Sequence, residues 1–308
     1  VSAQGLRPDT SPERPTGSIY DLGYRRYEGR RLGRPGAFVA LTIDALRACF
    51  GLGRPARAKV IPIGLLVLAL LPAVVAVALE ALARGAIPNP IRYDNYFSTI
   101  VQLLVLFVAA QAPELVGRDQ RYGSLSLVFS RALERLDYPL AKLLALGTAL
   151  LIVSLLPQAG IFLGKVLGAE DVVEALTDNL ASVPAIVLSS VLAAGVMAGL
   201  ALAVAAFTPR RAYATAGIFA VFYVSLAVAA VIAEVARRSR DSIWQDVAPL
   251  LAPTATLDGL IAWLFDSRVS GSVASRSDLP GPVYLVASLA LIAASMAVLA
   301  WRYRGIRL

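Results

Sequence analysis

Six apolar runs, separated by polar segments, divide the chain at about 60–82, 96–115, 140–162, 183–207, 213–235 and 283–302. A helix rises ~1.5 Å per residue and a bilayer core is ~30 Å thick, so about 20 apolar residues suffice to cross it. The pattern predicts six membrane-spanning helices within residues 60–303, and the fold class all-α, polytopic membrane protein. Pro62 and Pro72 predict kinks in the first span, which neighbouring helices can tolerate. Gly195-x-x-x-Gly199 in the fourth permits close helix approach and reads as packing.

Two stretches follow an amphipathic pattern instead. In residues 36–50, Val39, Ile43, Leu46 and Phe50 recur at helical spacing while Asp44 and Arg47 point elsewhere. The stretch is too short to span and carries two charges, which predicts a helix lying on the cytoplasmic leaflet. Residues 243–265 are amphipathic and edged by Trp244 and Trp263, residues that anchor at interfaces. They predict short helices dipping into the outer leaflet, within an outer loop at 237–282. Residues 164–182 read as an acidic loop carrying Glu170, Asp171, Glu174 and Asp178.

Residues 1–18 lack apolar periodicity and hold three prolines, so they read as a disordered tail. No cleavable signal peptide is read in residues 1–35. Residues 19–59 read as a cytoplasmic segment that includes the interfacial helix. Within it Tyr20, Tyr24 and Tyr27 interleave with Arg25 and Arg26, followed by Arg30, Arg31 and Arg34. Such a pattern suits single-stranded nucleic acid, an anionic membrane surface or a partner protein. The span just downstream favours the last two.

Charge orients the spans. An even number of crossings puts both termini on one side. Placing that side in the cytoplasm puts 21 of the 29 Lys and Arg residues inside, as the positive-inside rule requires. The formal net charge of +8 therefore describes loops facing a membrane, not a nucleic-acid surface. The location expected is the cytoplasmic membrane.

The absences exclude chemistry. There is no histidine, which removes His metal sites, Ser-His-Asp triads and His general bases. A single cysteine, Cys49, excludes an intramolecular disulfide. No Gly-x-x-x-x-Gly-Lys-Ser/Thr loop is present, so no nucleotide site is expected on this chain. No catalytic, cofactor-binding or metal residue is assigned, and the chain is not read as an enzyme. Acids near span ends remain: Glu80 and Glu234 lie near the outer ends of the first and fifth spans. Glu234 and Gln102 are the candidates for a translocation path.

The most charged segment between two spans is 113–142, PELVGRDQRYGSLSLVFSRALERLDYPLAK. Its residues 116–139 read as a cytoplasmic loop, with a short amphipathic helix suited to docking a soluble partner. Glu114 is spaced to pair with Arg118. The order Glu114, Asp119-x-Arg121-x-Gly123-Ser-Leu125-x-Leu127, Ser130-Arg131, Arg135-x-x-Tyr138-x-x-x-Lys142 resembles the membrane subunits of ABC exporters of the ABC-2 type. Those proteins have Pro after the Ser-Arg, where Ala132 stands here. The opening Tyr20-Asp-x-Gly-Tyr24-x-x-Tyr27-x-Gly resembles a subgroup of the same permeases.

The resemblance implies that this loop couples to an ATPase through Glu114, Arg118, Asp119, Arg121, Gly123, Leu125, Leu127, Ser130, Arg131 and Arg135. It implies two ABC ATPase subunits binding ATP and Mg, a second permease copy, and a path between the copies. The function it implies is export of a hydrophobic or amphiphilic substrate, a drug or lipid. Alternatives are an ATP-driven machine acting on lipids or membrane proteins without export, and an ATP-independent carrier or membrane enzyme.

Overall fold

The computed structural model describes residues 29, 32–83, 91–169, 171–239, 241–267 and 271–305. The aromatic-basic residues Tyr20, Tyr24, Arg25, Arg26 and Tyr27 lie outside these. Among the described residues the protein is helical with no strand. It carries six helices long and apolar enough to cross a membrane, which makes it a multi-pass membrane protein by helix length and composition.

The spanning helices are α2 (Arg57–Ala83), α3 (Tyr93–Ala112), α6 (Asp137–Gly168), α8 (Val183–Ala205), the pair α9 (Arg211–Phe219) and α10 (Ser225–Ser239), and α13 (Gly281–Arg304). Shorter helices fill the connections: α1 (Gly33–Cys49), α4 (Arg118–Arg121), α5 (Leu125–Phe129), α7 (Val172–Leu180), α11 (Ser242–Val247) and α12 (Pro253–Leu264). Two π-helical turns, Pro113–Gly117 and Ala220–Val224, join α3 to α4 and α9 to α10. The second span thus runs to Arg121 and the third begins at Asp137. Helical hydrogen bonding does not stop where apolar character stops; only lipid contact does.

The spans alternate between two ends. The loop end carries α1, residues 113–137, the Thr208–Arg210 turn and the end of α13. The far end carries α7, α11 and α12. Helices α3 and α8 are two-thirds buried and form the core, around Tyr96, Ile100, Phe107, Met197 and Leu202. Helices α2, α10 and α13 expose Val and Leu side chains such as Val67, Val74, Val231 and Leu289, the surface a bilayer solvates at no cost.

The Gly195-x-x-x-Gly199 pair faces α13. A Cβ at Gly195 would lie 2.8 Å from Ile292 Cδ1, and one at Gly199 3.0 Å from Ser295 Cβ. The bare backbone lets the two helices approach.

Helix α1 packs on α6, and its apolar stripe splits along the seam: Leu46 and Phe50 are partly buried against the core. Ala45 and Cys49 are buried against it, while the larger Val39 and Ile43 remain exposed. Small side chains allow the closer approach to α6, leaving the bulky ones free for other contacts. Burial pushes the Cys49 thiol up to about 12. The thiolate is the nucleophile, so a raised value leaves almost none at neutral pH. In the folded protein, maleimide should label Cys49 negligibly between pH 7 and pH 9 and stoichiometrically after denaturation, read by mass spectrometry. Rapid labelling of folded protein at pH 7 would show the seam to be open.

At the far end, the expected acidic loop is ordered into α7, with Asp171 as its N-cap. The Asp171 carboxylate accepts from the Val173 and Glu174 N–H groups at 2.9 and 3.1 Å. Beyond α10, the stretch Ser242–Leu251 meets α12 at 104°. Ala252 at the corner is extended, as a residue before proline prefers, and Pro253 starts α12. Helix α12 then packs on α13 and α8.

Candidate docking surface at the loop end

The surface starts from one proline. Pro113 has no N–H to give to the preceding turn, and a π-helical turn forms there. That turn rotates Glu114 and Arg118 out of i, i+4 register. The expected Glu114–Arg118 pair is therefore absent. Glu114 sits instead between Arg211 of α9, at 2.8 Å, and Arg54 of the α1–α2 connection, at 3.6 Å.

Next, α4 turns back on itself at Gly123, whose φ of +64° favours glycine. No atom would meet a Cβ there, so backbone conformation alone demands the glycine. The Ser124 N–H donates to the Asp119 carbonyl at 3.1 Å and closes the turn. Helix α5 follows, with Leu125 buried, Val128 and Phe129 partly buried, and Leu127 71% exposed. The Ser130 hydroxyl donates to the Leu127 carbonyl at 2.8 Å and serves its own helix end.

The inner side of the loop is braced to every neighbouring span. Asp119 accepts from Lys142 Nζ and from the Tyr138 hydroxyl, each at 2.8 Å. Tyr138 is fully buried and its ring lies 5.0 Å from that of Tyr303 on α13. Gln120 donates to the Ala206 carbonyl after α8 at 2.9 Å, and Arg121 to the Pro209 carbonyl at 2.9 Å. Arg135 reaches the Arg304 carbonyl at 2.8 Å. At the start of α6, Arg34 of α1 forks onto both oxygens of Asp137 at 2.9 Å and also contacts Glu134. Planar guanidinium-carboxylate forks of this kind fix geometry as well as charge.

The outer side is different. Arg118, Tyr122, Leu127 and Arg131 are exposed. Among the described residues, the Arg118 and Arg131 side chains make no hydrogen bond or ion pair. Tyr122 is 74% exposed. A cleft of about 380 Å³ opens beside it, lined by Asp44, Arg54, Glu114, Arg118 and Asp119. The residues taken together in the sequence thus separate into two sets. Glu114, Asp119, Arg121, Leu125 and Arg135 hold the loop in place; Arg118, Leu127 and Arg131 face outward. Tyr122 and Gln120 also belong to this assembly, as does Arg34, which the sequence places only with the aromatic-basic stretch. Gln120 and Tyr122 lie within the motif itself, while Arg34 is distant in sequence and carries no local sign of its partner.

The two residues considered for a path do not meet. Gln102 accepts from the Tyr223 hydroxyl at 2.5 Å and lines a cavity of about 410 Å³ between α3, α10 and α12. Glu234 lies outside that cavity. It pairs with Arg237, Arg238 and Arg276 at 2.7, 2.9 and 3.5 Å, a cluster at the far end. Among the described residues no group of His, Cys, Asp and Glu is arranged to hold a metal ion. No protein-family model matches the chain, and no curated protein matches it.

Proposed function

We propose that this chain is the membrane subunit of an ATP-driven exporter of the ABC-2 type. A separate ATPase, present in two copies, binds ATP and Mg and docks at the loop end. Two membrane subunits form a homodimer with the path between them, and the substrate is hydrophobic or amphiphilic, a drug or a lipid. The loop end faces the cytoplasm, where its arginines satisfy the positive-inside rule. Exposed Val39 and Ile43 on α1 suit contact with the cytoplasmic leaflet.

One observation carries this reading. The 113–137 loop holds a firm inner side, tied to α6, α8, α9 and α13, beneath an outer side of unpartnered arginines and exposed apolar residues. A surface loop serving only as a connector needs neither. Force applied at Leu127 and Tyr122 reaches four spans through bonds already formed, which suits a part that passes motion from a soluble engine to a membrane gate. The chain performs no covalent step.

The test is affinity purification in mild detergent, with identification of what co-purifies and assay of ATP hydrolysis. A stoichiometric ATPase with vanadate-sensitive turnover is expected. Arg131→Glu is expected to reduce substrate-stimulated turnover at least about tenfold, the size of loss a central interface residue carries, with the melting temperature unchanged. A folded Arg131→Glu, Arg135→Glu protein with normal stimulated transport would sink the coupling role. Purification of the chain alone, with nucleotide-independent transport, would favour a carrier.

A further inference from the structure

The cavity near the far end carries a charge that the proposed function does not use. Its lining from α3 and α10 is neutral or apolar, including Gln102 and Leu226, with Phe222 and Tyr223 from the π-helical turn between α9 and α10. From the other side α12 contributes Thr254 and Asp258. Among the described residues, Asp258 is the only charged group on the wall.

The Asp258 carboxylate is poorly answered. Ser272 donates to its Oδ2 at 2.8 Å, and the Ala274 N–H in turn donates to Ser272 Oγ at 3.3 Å. Among the described residues no cation pairs with it, and Oδ1 has no hydrogen bond. Thr254, 7% exposed, has a buried hydroxyl with no partner among the described residues. A carboxylate with one hydroxyl partner is an expensive feature in a helical membrane protein. Asp258 also borders a second cleft, of about 300 Å³, where Asp266 and Asp278 add negative charge and, among the described residues, no Lys or Arg lines the wall. The approach to the carboxylate is acidic, which concentrates cations there.

We propose that this cavity binds an organic monocation, an ammonium on an apolar body, with Asp258 as its counter-charge. Among the described residues no cationic side chain on these walls would pair with an anion. A hard inorganic cation wants six or more oxygen ligands, and the wall offers a single carboxylate, with no group of three or more His, Cys, Asp or Glu among the described residues. The volume, about 410 Å³, is more than ten times that of a water molecule, taken as about 30 Å³, so it has room for an organic body. The Tyr223 ring, stacked on Phe219 at 5.8 Å on one side, borders the cavity and adds an aromatic wall of the kind that attracts a quaternary ammonium. The inference gives a substrate class to the exporter reading, yet its test needs no ATPase, so the two fail separately.

The experiment titrates benzyltriethylammonium into the full chain in an uncharged detergent, followed by calorimetry. Saturable binding at one site per chain is expected, with no binding of benzenesulfonate and no displacement by excess potassium. Asp258→Asn should weaken affinity at least about tenfold and Asp258→Glu by no more than about threefold, since charge rather than shape is what binds. Ala230→Phe, which fills the cavity from α10, should abolish binding. The proposal is overturned by absence of saturable binding, by equal binding of the anion, by displacement by potassium, or by full affinity in a folded Asp258→Asn protein. If that variant does not fold, Ala230→Phe and the anion comparison still decide. Binding that persists without any co-purifying ATPase removes the exporter reading and leaves the cation site.

Discussion

Asp119→Ala is expected to remove most of the folded protein from a detergent extract. Lys142, with 8% of its side chain exposed, has Asp119 as its anion. Breaking a buried pair from one side leaves an uncompensated charge and costs about 3–5 kcal/mol. The buried Tyr138 hydroxyl loses its acceptor in the same change. Against a total stability of about 5–15 kcal/mol, that is a large share. The Glu114–Arg211 pair carries less, because Arg211 is half exposed and water solvates it when the partners part. The measurement is the temperature at which the monodisperse gel-filtration peak is lost. Asp119→Ala should lose it well below the parent, and Asp119→Leu with Lys142→Met should regain most of the difference, because neither charge then needs a partner. A single variant that melts with the parent would show that the pair does not hold the loop.

Leu127→Asp is expected to abolish ATPase association while leaving the melting temperature unchanged. Leu127 is 71% exposed, so a carboxylate there is solvated in the free chain. Once a partner covers it, the charge is desolvated without a counter-ion. Loss of a central apolar anchor alone reaches about 2 kcal/mol or more, and the buried charge adds to this, so association should fall by roughly 100-fold. Leu125→Asp two residues earlier should do the reverse. Leu125 is buried, so that change should lower the melting temperature before any partner is added. Pull-down of the ATPase alongside the melt separates the two. Retention of the ATPase by Leu127→Asp would move the docking surface elsewhere, first to the cleft beside Tyr122.

Several features were legible along the chain because their cause is local. A run of about 20 apolar residues needs no tertiary partner to be recognised. The six runs correspond to six helices apolar enough to span, although the second span continues through the π-helical turn and α4 to Arg121, and α6 starts at Asp137, each further into the polar loop than the runs themselves. The amphipathic character of residues 243–265 likewise coincides with short helices at the far end. Gly123 shows its reason in a positive φ. The Glu114–Arg118 spacing misled because it assumes an unbroken α-helix, and Pro113 sits just where the helix changes pitch.

The identity of the partners was decided elsewhere. Arg34 meets Asp137, Gln120 meets the end of α8, and Gln102 bonds to Tyr223 on the wall of a cavity that Asp258 also borders. Each of these joins segments far apart in the chain, and no local periodicity encodes them. They follow from which helices can approach closely, a matter of bare backbone at Gly195 and Gly199 and small side chains at Ala45 and Cys49. Hydrophobicity is a property of each residue and can be read one residue at a time. Packing and charge pairing are properties of surfaces brought together, so residue order alone marked six stretches long and apolar enough to span a membrane, while the folded structure decided which charges brace the loop end and which have no partner among the described residues.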